Sequence, residues 1–269
     1  MHVQFSRVCA TPGAKRPLLT QDEFIRQKVS DLFRSRRLDC CVDACGYTQR
    51  ERAHVARLLA KLQYSVYRLD SYGESVWEVQ QSRLSELWEE VYRSVQAWHE
   101  SSHVYEPLLT DLRLYQDVEI GMRNGSSPTE IEIERFYWLK TCDVRLSRGL
   151  LAATSVQPGS SDLQSMWNYF DSVAEVLDDL SDLEEDSVTY NCNRFSISCA
   201  LVGVRLTKNR YLAFLRSIAG RVAKIATQEP AIRTPAIAQV HRWLVEELTS
   251  AADLLRKVPG PACAGHLPS

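Results

Sequence analysis

Apolar residues recur three and four positions apart along most of the chain. Val55, Leu58, Leu59, Leu62, Val66 and Leu69 form one such stripe, and Leu84, Leu87, Trp88, Val91, Val95 and Trp98 form another. At ~100° per residue this spacing lines the side chains up on one face of an α-helix. No comparable run alternates with the period of two that a half-buried strand needs. The pattern predicts helices over 20–34, 48–71, 75–101, 105–123, 128–155, 161–188, 191–205, 208–227 and 234–257. Several exceed twenty residues, which favours a bundle of long helices around a central cavity over a compact orthogonal stack. The expected fold class is all-α.

Helix starts support this reading. Thr20-x-x-Glu23, Thr48-x-x-Glu51, Ser127-Pro128-Thr129-Glu130 and Ser161-x-x-Gln164 each fit a capping box. In that motif the hydroxyl and the later side chain satisfy N–H groups that the first helical turn leaves without partners. Pro and Gly concentrate at the two ends, over Thr11–Pro17 and Pro259–Ser269. Residues 1–18 and 259–269 are therefore expected to be flexible tails on a single domain, 19–258, with no internal repeat and no linker.

One segment breaks the ordinary pattern. Asp178-Asp179-Leu180-Ser181-Asp182-Leu183-Glu184-Glu185-Asp186 places six acids in nine residues, inside the stretch from Gly149 to Asn193 that has no Lys or Arg. Like charges at i and i+4, as in Asp178 with Asp182 and Asp182 with Asp186, each cost an isolated helix about 0.2–0.5 kcal/mol. A solvated acidic face opposite Leu177, Leu180 and Leu183 is the ordinary meaning of such a run. Here, however, Asp178, Asp182 and Glu185 share a face with Trp167, Asp171 and Ala174. Carboxylates above an aromatic wall are the donor set that Mg²⁺ takes, with water and substrate phosphate oxygens completing its octahedron. A second set, Asp70, Glu74 and Glu78, falls at i, i+4 and i+8, with Tyr64, Tyr67 and Trp77 nearby.

Together these segments resemble the class I isoprenoid synthases, the all-α family of polyprenyl synthases, squalene and phytoene synthases, and terpene cyclases. Leu177 to Asp186 is similar to the second Asp-rich motif, in the D-x-x-E-D form of the squalene/phytoene branch and of large bacterial terpene synthases, with Asn191 or Asn193 trailing it. Arg68-Leu69-Asp70-Ser71-Tyr72-Gly73-Glu74 resembles the first D-x-x-x-D motif, with Glu in the last place. Tyr137-Trp138-Leu139-Lys140-Thr141 resembles the Lys-Thr helix of polyprenyl synthases. The likeness covers roughly residues 60 to 215 through spaced short motifs.

The resemblance implies that Asp70, Glu74, Asp178, Asp182, Glu185 and Asp186 hold more than one Mg²⁺. It assigns the central catalytic roles to Asp70, Asp178, Asp182 and Lys140. Diphosphate would then be bound by Lys140, Arg68, Arg194, Arg205 and the Arg210-Tyr211 pair. Ionising an allylic diphosphate requires its developing charge to be neutralised in a dry site. The resulting carbocation needs ring faces that attract it without attacking it, which Trp77, Phe136, Trp138, Trp167 and Phe170 would supply. Chain-elongating members carry a Gly-Lys-Arg-x-Arg-Pro pattern and an Arg pair after the first motif. Gly13-Ala14-Lys15-Arg16-Pro17 echoes the first in part, and no Arg pair follows Glu74. A terpene synthase that cyclises one linear prenyl diphosphate is the first expectation, and prenyl transfer, by elongation, head-to-head condensation or transfer to an acceptor, the second. A non-catalytic helical scaffold with a merely solvated acidic run is the third. The likeness also leaves room for a homodimer.

Composition narrows the field further. The 269 residues are 45% hydrophobic and 25% charged, with 32 Lys and Arg against 34 Asp and Glu, enough apolar material for a substantial core. A formal charge of −2 gives no support to nucleic-acid binding through bulk positive charge. The eight cysteines lack paired C-x-x-C spacing, and Cys40, Cys41 and Cys45, the one cluster, read as reduced thiols rather than a zinc site. His99 and His103 sit at i and i+4 without a third ligand nearby. No phosphate-binding P-loop, dinucleotide fingerprint, nucleophile elbow or zinc-protease motif occurs. With no signal-peptide core and no apolar run long enough to span a bilayer, a cytoplasmic protein is expected.

Overall fold

The computed structural model describes residues 20–98, 105–155, 161–186, 193–227 and 235–258, apart from the side chains of Glu74, Ser75 and Glu185. Both expected tails, the Gly13–Pro17 segment, His99, His103 and Asn191 lie outside the described residues. Among those described there is no strand, and the chain is all-α, as its periodicity predicts. In chain order the helices are α1 (Gln21–Ser35), α2 (Leu38–Ala44), α3 (Gln49–Ser75), α4 (Gln81–Gln96), α5 (Glu106–Arg123) and α6 (Ile133–Lys140). They continue as α7 (Cys142–Thr154), α8 (Ser161–Ser181), α9 (Leu183–Asp186), α10 (Arg194–Val202), α11 (Val204–Thr227) and α12 (Pro235–Lys257). None is long and apolar enough to cross a membrane.

Two of the four capping boxes form in full. Thr20 Oγ1 accepts from the Glu23 N–H and Thr48 Oγ1 from the Glu51 N–H, while each Glu accepts from its cap N–H at 2.8 Å. Ser127 caps only a three-residue 3-10 turn, Pro128–Glu130, and Ser161 is already the first residue of α8.

The helix predicted over 128–155 is thus three pieces. Thr141 ends α6 and begins α7, its hydroxyl donating to the Trp138 carbonyl at 3.0 Å, and Arg145 donates to that same oxygen at 2.8 Å. Side chains that satisfy a released carbonyl make such a break tolerable. The stretch 35–47, predicted as connection, contains α2, whose Leu38, Cys41, Val42 and Cys45 show the helical spacing in miniature. At the other end of α3, Val76 turns extended, so Trp77 and Glu78 leave the helical face that carries Asp70. Arg123 caps this end by donating to the carbonyls of Gly73 and Val76, and the Gln80 N–H donates to Tyr72 Oη at 2.9 Å. These tertiary contacts, invisible to local periodicity, explain why α4 starts at Gln81 instead of near 75. Gly203, at φ +86°, separates α10 from α11.

The core is built on α8, which packs along α12 and touches α6, α10 and α11. Met166, Phe170, Val173 and Val176 on α8 are fully buried. Each buried side chain of this size contributes about 1.5–3 kcal/mol. Phe136, Tyr137, Phe195, Tyr211 and Phe214 interlock beside it, with edge-to-face contacts at centroid separations of 5.0–6.0 Å and one stacked pair at 6.0 Å.

A cavity lined by both acidic segments

A cavity of about 610 Å³ opens between α1, α3, α5, the α6–α7 corner and the C-terminal half of α8. Asp70 reaches it from α3, Lys140 from α6, and Asp178, Asp182 and Asp186 from α8, its end and α9. These residues come from segments about seventy and forty positions apart, and the fold gathers them around one cavity. Tyr115 on α5 lines the same space, where burial, and after it the negative charges of Glu119, Asp70, Glu175 and Asp179, push its phenol upward.

The acidic helix is held by buried cations. Arg36, in the corner between α1 and α2, donates to Glu175 at 2.5 Å and to Asp178 at 2.7 Å, and also to the Asp171 carbonyl at 3.2 Å. Lys140 Nζ donates to Asp179 and lies 3.5 Å from Glu175. Asp179 also accepts from the Tyr137 hydroxyl at 2.6 Å, which in turn meets the Tyr211 hydroxyl at 2.8 Å. About two turns earlier, Arg148 grips Asp171 through two bonds of 2.8 and 2.9 Å, both side chains almost wholly buried. Within the acidic run Asp178 is thus offset by Arg36 and Asp179 by Lys140, neither cation coming from its own helix. Even so, α8 stops at Ser181 and α9 restarts at Leu183, with Asp182 at the bend.

Burial sets the protonation chemistry. Desolvation pushes the Asp143, Glu175 and Asp179 carboxyls upward, against the pull of Arg36 on the first two and of Lys140 on the last two; Glu175 is pushed up to about 7. Burial opposes the charged forms of Arg36 and Lys140, but their carboxylate neighbours outweigh it and hold both cations protonated. The Tyr67 and Tyr115 phenols are raised by desolvation and stay neutral.

Of the other candidates, most point elsewhere. Arg68 pairs with Glu90 on α4. Arg194 is buried under α6, donating to the Ile131 carbonyl at 2.8 Å with its guanidinium over the Phe136 ring. Arg205 and Arg210 are exposed on α11, and Tyr211 is sealed in the core, one hydrogen bond beyond Tyr137. Trp77 is 60% exposed beyond α3. Trp138 donates to Asp111 at 3.2 Å with Arg145 stacked on its ring. Phe136 and Phe170 are core residues. Trp167 lines a separate cavity of about 240 Å³ with Trp243 and the α2 cysteines. The expected stripe from Trp167 to Asp182 is broken because α12 covers its lower half and Arg148 occupies Asp171. Glu74 and Glu185 are outside the described side chains. Cys40, Cys41, Cys45, Cys142 and Cys199 are free thiols.

The cavity also uses residues to which the sequence assigned no role: Arg36, Lys28, Tyr67, Tyr115, Glu119, Asp143, Glu175 and Asp179. Glu175 lies at i−3 from Asp178 and i−4 from Asp179, one turn back on the same side of α8, so the helical pattern pointed to it. Nothing local marks Arg36. Asn193, noted as trailing the acidic run, donates to the Asp179 carbonyl at 2.6 Å and to Asp186 at 2.8 Å, tying α8 and α9 to the start of α10.

Among the described residues, no three His, Cys, Asp or Glu side chains are arranged to hold a metal ion unaided. The donor chemistry nevertheless suits Mg²⁺, which is usually held by one or two carboxylates while water and substrate phosphate complete its shell. No protein-family model, curated protein or solved structure matches the chain.

Proposed function

We propose that the protein is a class I terpene synthase, which ionises a linear prenyl diphosphate and releases diphosphate and a cyclic or rearranged terpene. One observation carries this reading. Asp70 and the Asp178, Asp182 and Asp186 series line a single cavity with Lys140, in the pairing that the two acidic segments imply. Nine carboxylic side chains against three cationic ones face that space, a formal balance of −6. A diphosphate entering alone would be repelled, so anion binding here requires divalent cations as co-ligands.

Asp70, Asp178, Asp182 and Asp186 would hold Mg²⁺, which when bound supplies the positive charge that stabilises departing diphosphate. Lys140 and Arg36 stay protonated and add N–H donors to the leaving oxygens. Tyr67 and Tyr115 keep neutral phenol rings beside the apolar wall of Ile25, Leu32, Val66 and Leu112. Neutral rings can face a carbocation while remaining poor nucleophiles. The volume is within the range of pockets that enclose small ligands.

Purified protein incubated with geranyl, farnesyl or geranylgeranyl diphosphate and Mg²⁺ should give a hydrocarbon or alcohol and release pyrophosphate, both abolished by EDTA. Asp178→Asn with Asp182→Asn should remove nearly all turnover while leaving the helical circular dichroism intact. Longer diphosphates formed only with isopentenyl diphosphate present would instead establish prenyl transfer. Folded protein that releases no pyrophosphate from any substrate, with or without isopentenyl diphosphate, would sink the terpene-synthase reading and leave transfer to another acceptor or a non-catalytic scaffold.

A further inference from the structure

Between Asp186 and Glu229 the chain carries seven basic residues and no acidic one. Most of them surface on α11, away from the cavity. Arg205 and Arg216 stand eleven positions apart, about three turns, so they share one margin of the exposed face, and Arg210 stands on the other margin. Leu206, Ala213, Gly220 and Lys224 run between them, and all of these positions are exposed. Leu206 is 45% exposed, and Leu201, across the Gly203 bend, is 57% exposed. The opposite face of α11 is buried through Tyr211, Phe214, Leu215, Ile218 and Val222. Arg221 is held by Glu134, but among the described residues no ion pair engages Arg205, Arg210, Arg216 or Lys224.

We propose that this face of α11, with Leu201 and Leu206 at its N-terminal end, docks the protein peripherally on an anionic phospholipid surface. The four cations span about 28 Å at 1.5 Å per residue, which lays them along a plane of headgroup phosphates. The two leucines enter the acyl boundary beside Arg205. A second copy of the chain is a poor occupant, because a twofold contact would set like charges against each other. Single-stranded nucleic acid is also disfavoured, since the apolar groups exposed here are leucines and not the rings on which bases stack. The proposal does not depend on the chemistry of the cavity.

The test is co-sedimentation of the full chain with vesicles of phosphatidylcholine alone or mixed with phosphatidylglycerol. Binding should require the anionic lipid and weaken as salt rises. Arg210→Gln alone should weaken it about fivefold, and Gln at all four cationic positions several hundredfold. Leu201→Ser with Leu206→Ser should weaken it further at unchanged charge. The melting midpoint of each variant shows that these exposed substitutions leave the fold in place. Equal binding to neutral vesicles, or indifference to the four cations, overturns the proposal. So does charge-dependent capture of single-stranded RNA that the leucine changes do not affect, or a dimer that the four Gln substitutions dissolve.

Discussion

Replacing Lys140 with Met tests whether Lys140 and Asp179 form a buried ion pair that the fold depends on. Methionine keeps the length of the stem and removes the ammonium. Asp179, 1% exposed, would keep the 2.6 Å bond from Tyr137 but lose its cation. Removing one partner of a buried pair costs about 3–5 kcal/mol. Burial already draws the Asp179 carboxyl toward its neutral form, which relieves part of that cost and sets the expectation at about 3 kcal/mol. In a chain of this size that lowers Tm by about 6–12 °C. Asp179→Asn should cost less, about 1–2 kcal/mol, because Lys140 retains Glu175 at 3.5 Å. Urea titrations of both variants and the double variant form a thermodynamic cycle, in which the double should fall short of the summed losses by about 1 kcal/mol or more. Additive losses, each below about 1 kcal/mol, would mean that Lys140 is a solvent-screened surface lysine and would refute the reasoning.

Glu175 makes the pH dependence calculable in sign. Its folded carboxyl is pushed up to about 7 from an ordinary value of 4.5, so between those limits the unfolded chain has lost a proton that the folded chain keeps. Stability should therefore fall as pH rises through that window, by at most about 3 kcal/mol from this group. Glu175→Gln should flatten the slope seen in denaturant melts on either side of the window; an unchanged slope would show that Glu175 does not titrate there. At Gly149 an added Cβ would lie 2.5 Å from Leu108 Cδ1, across the α5–α7 contact. Gly149→Ala should cost about 1 kcal/mol, since Leu108 is half-buried and its tip can move, and Leu108→Ala should rescue it. A thermal melt of the single and double variants decides this, and no rescue would mean the strain lies in the backbone.

Local sequence determined the helices because their signals are short-range. A stripe such as Val55 to Leu69 repeats within a few turns, and Thr20 and Thr48 satisfy N–H groups only three residues away. It also marked Asp70, Asp178, Asp182 and Asp186, since clustered carboxylates on a helix face carry an electrostatic cost visible without the fold, whereas Lys140 was marked only by the motif resemblance. Breaks set by distant partners were not legible in this way. Arg123 capping α3 from fifty residues away is the clearest case. The aromatic candidates and the basic ones other than Lys140 lie away from this cavity for the same reason. Trp167, Phe170 and Tyr211 have the composition of a substrate wall, but packing of α8 against α12 and α11 buries them elsewhere, and Arg205 and Arg210 face outward because Tyr211 and Phe214 claim the inner face of α11. The countercharges were decided by tertiary structure alone: Arg36 lies 142 positions from Asp178 and meets it at 2.7 Å. A charge buried in low dielectric must find its partner in space, and nothing requires that partner to be near in the chain.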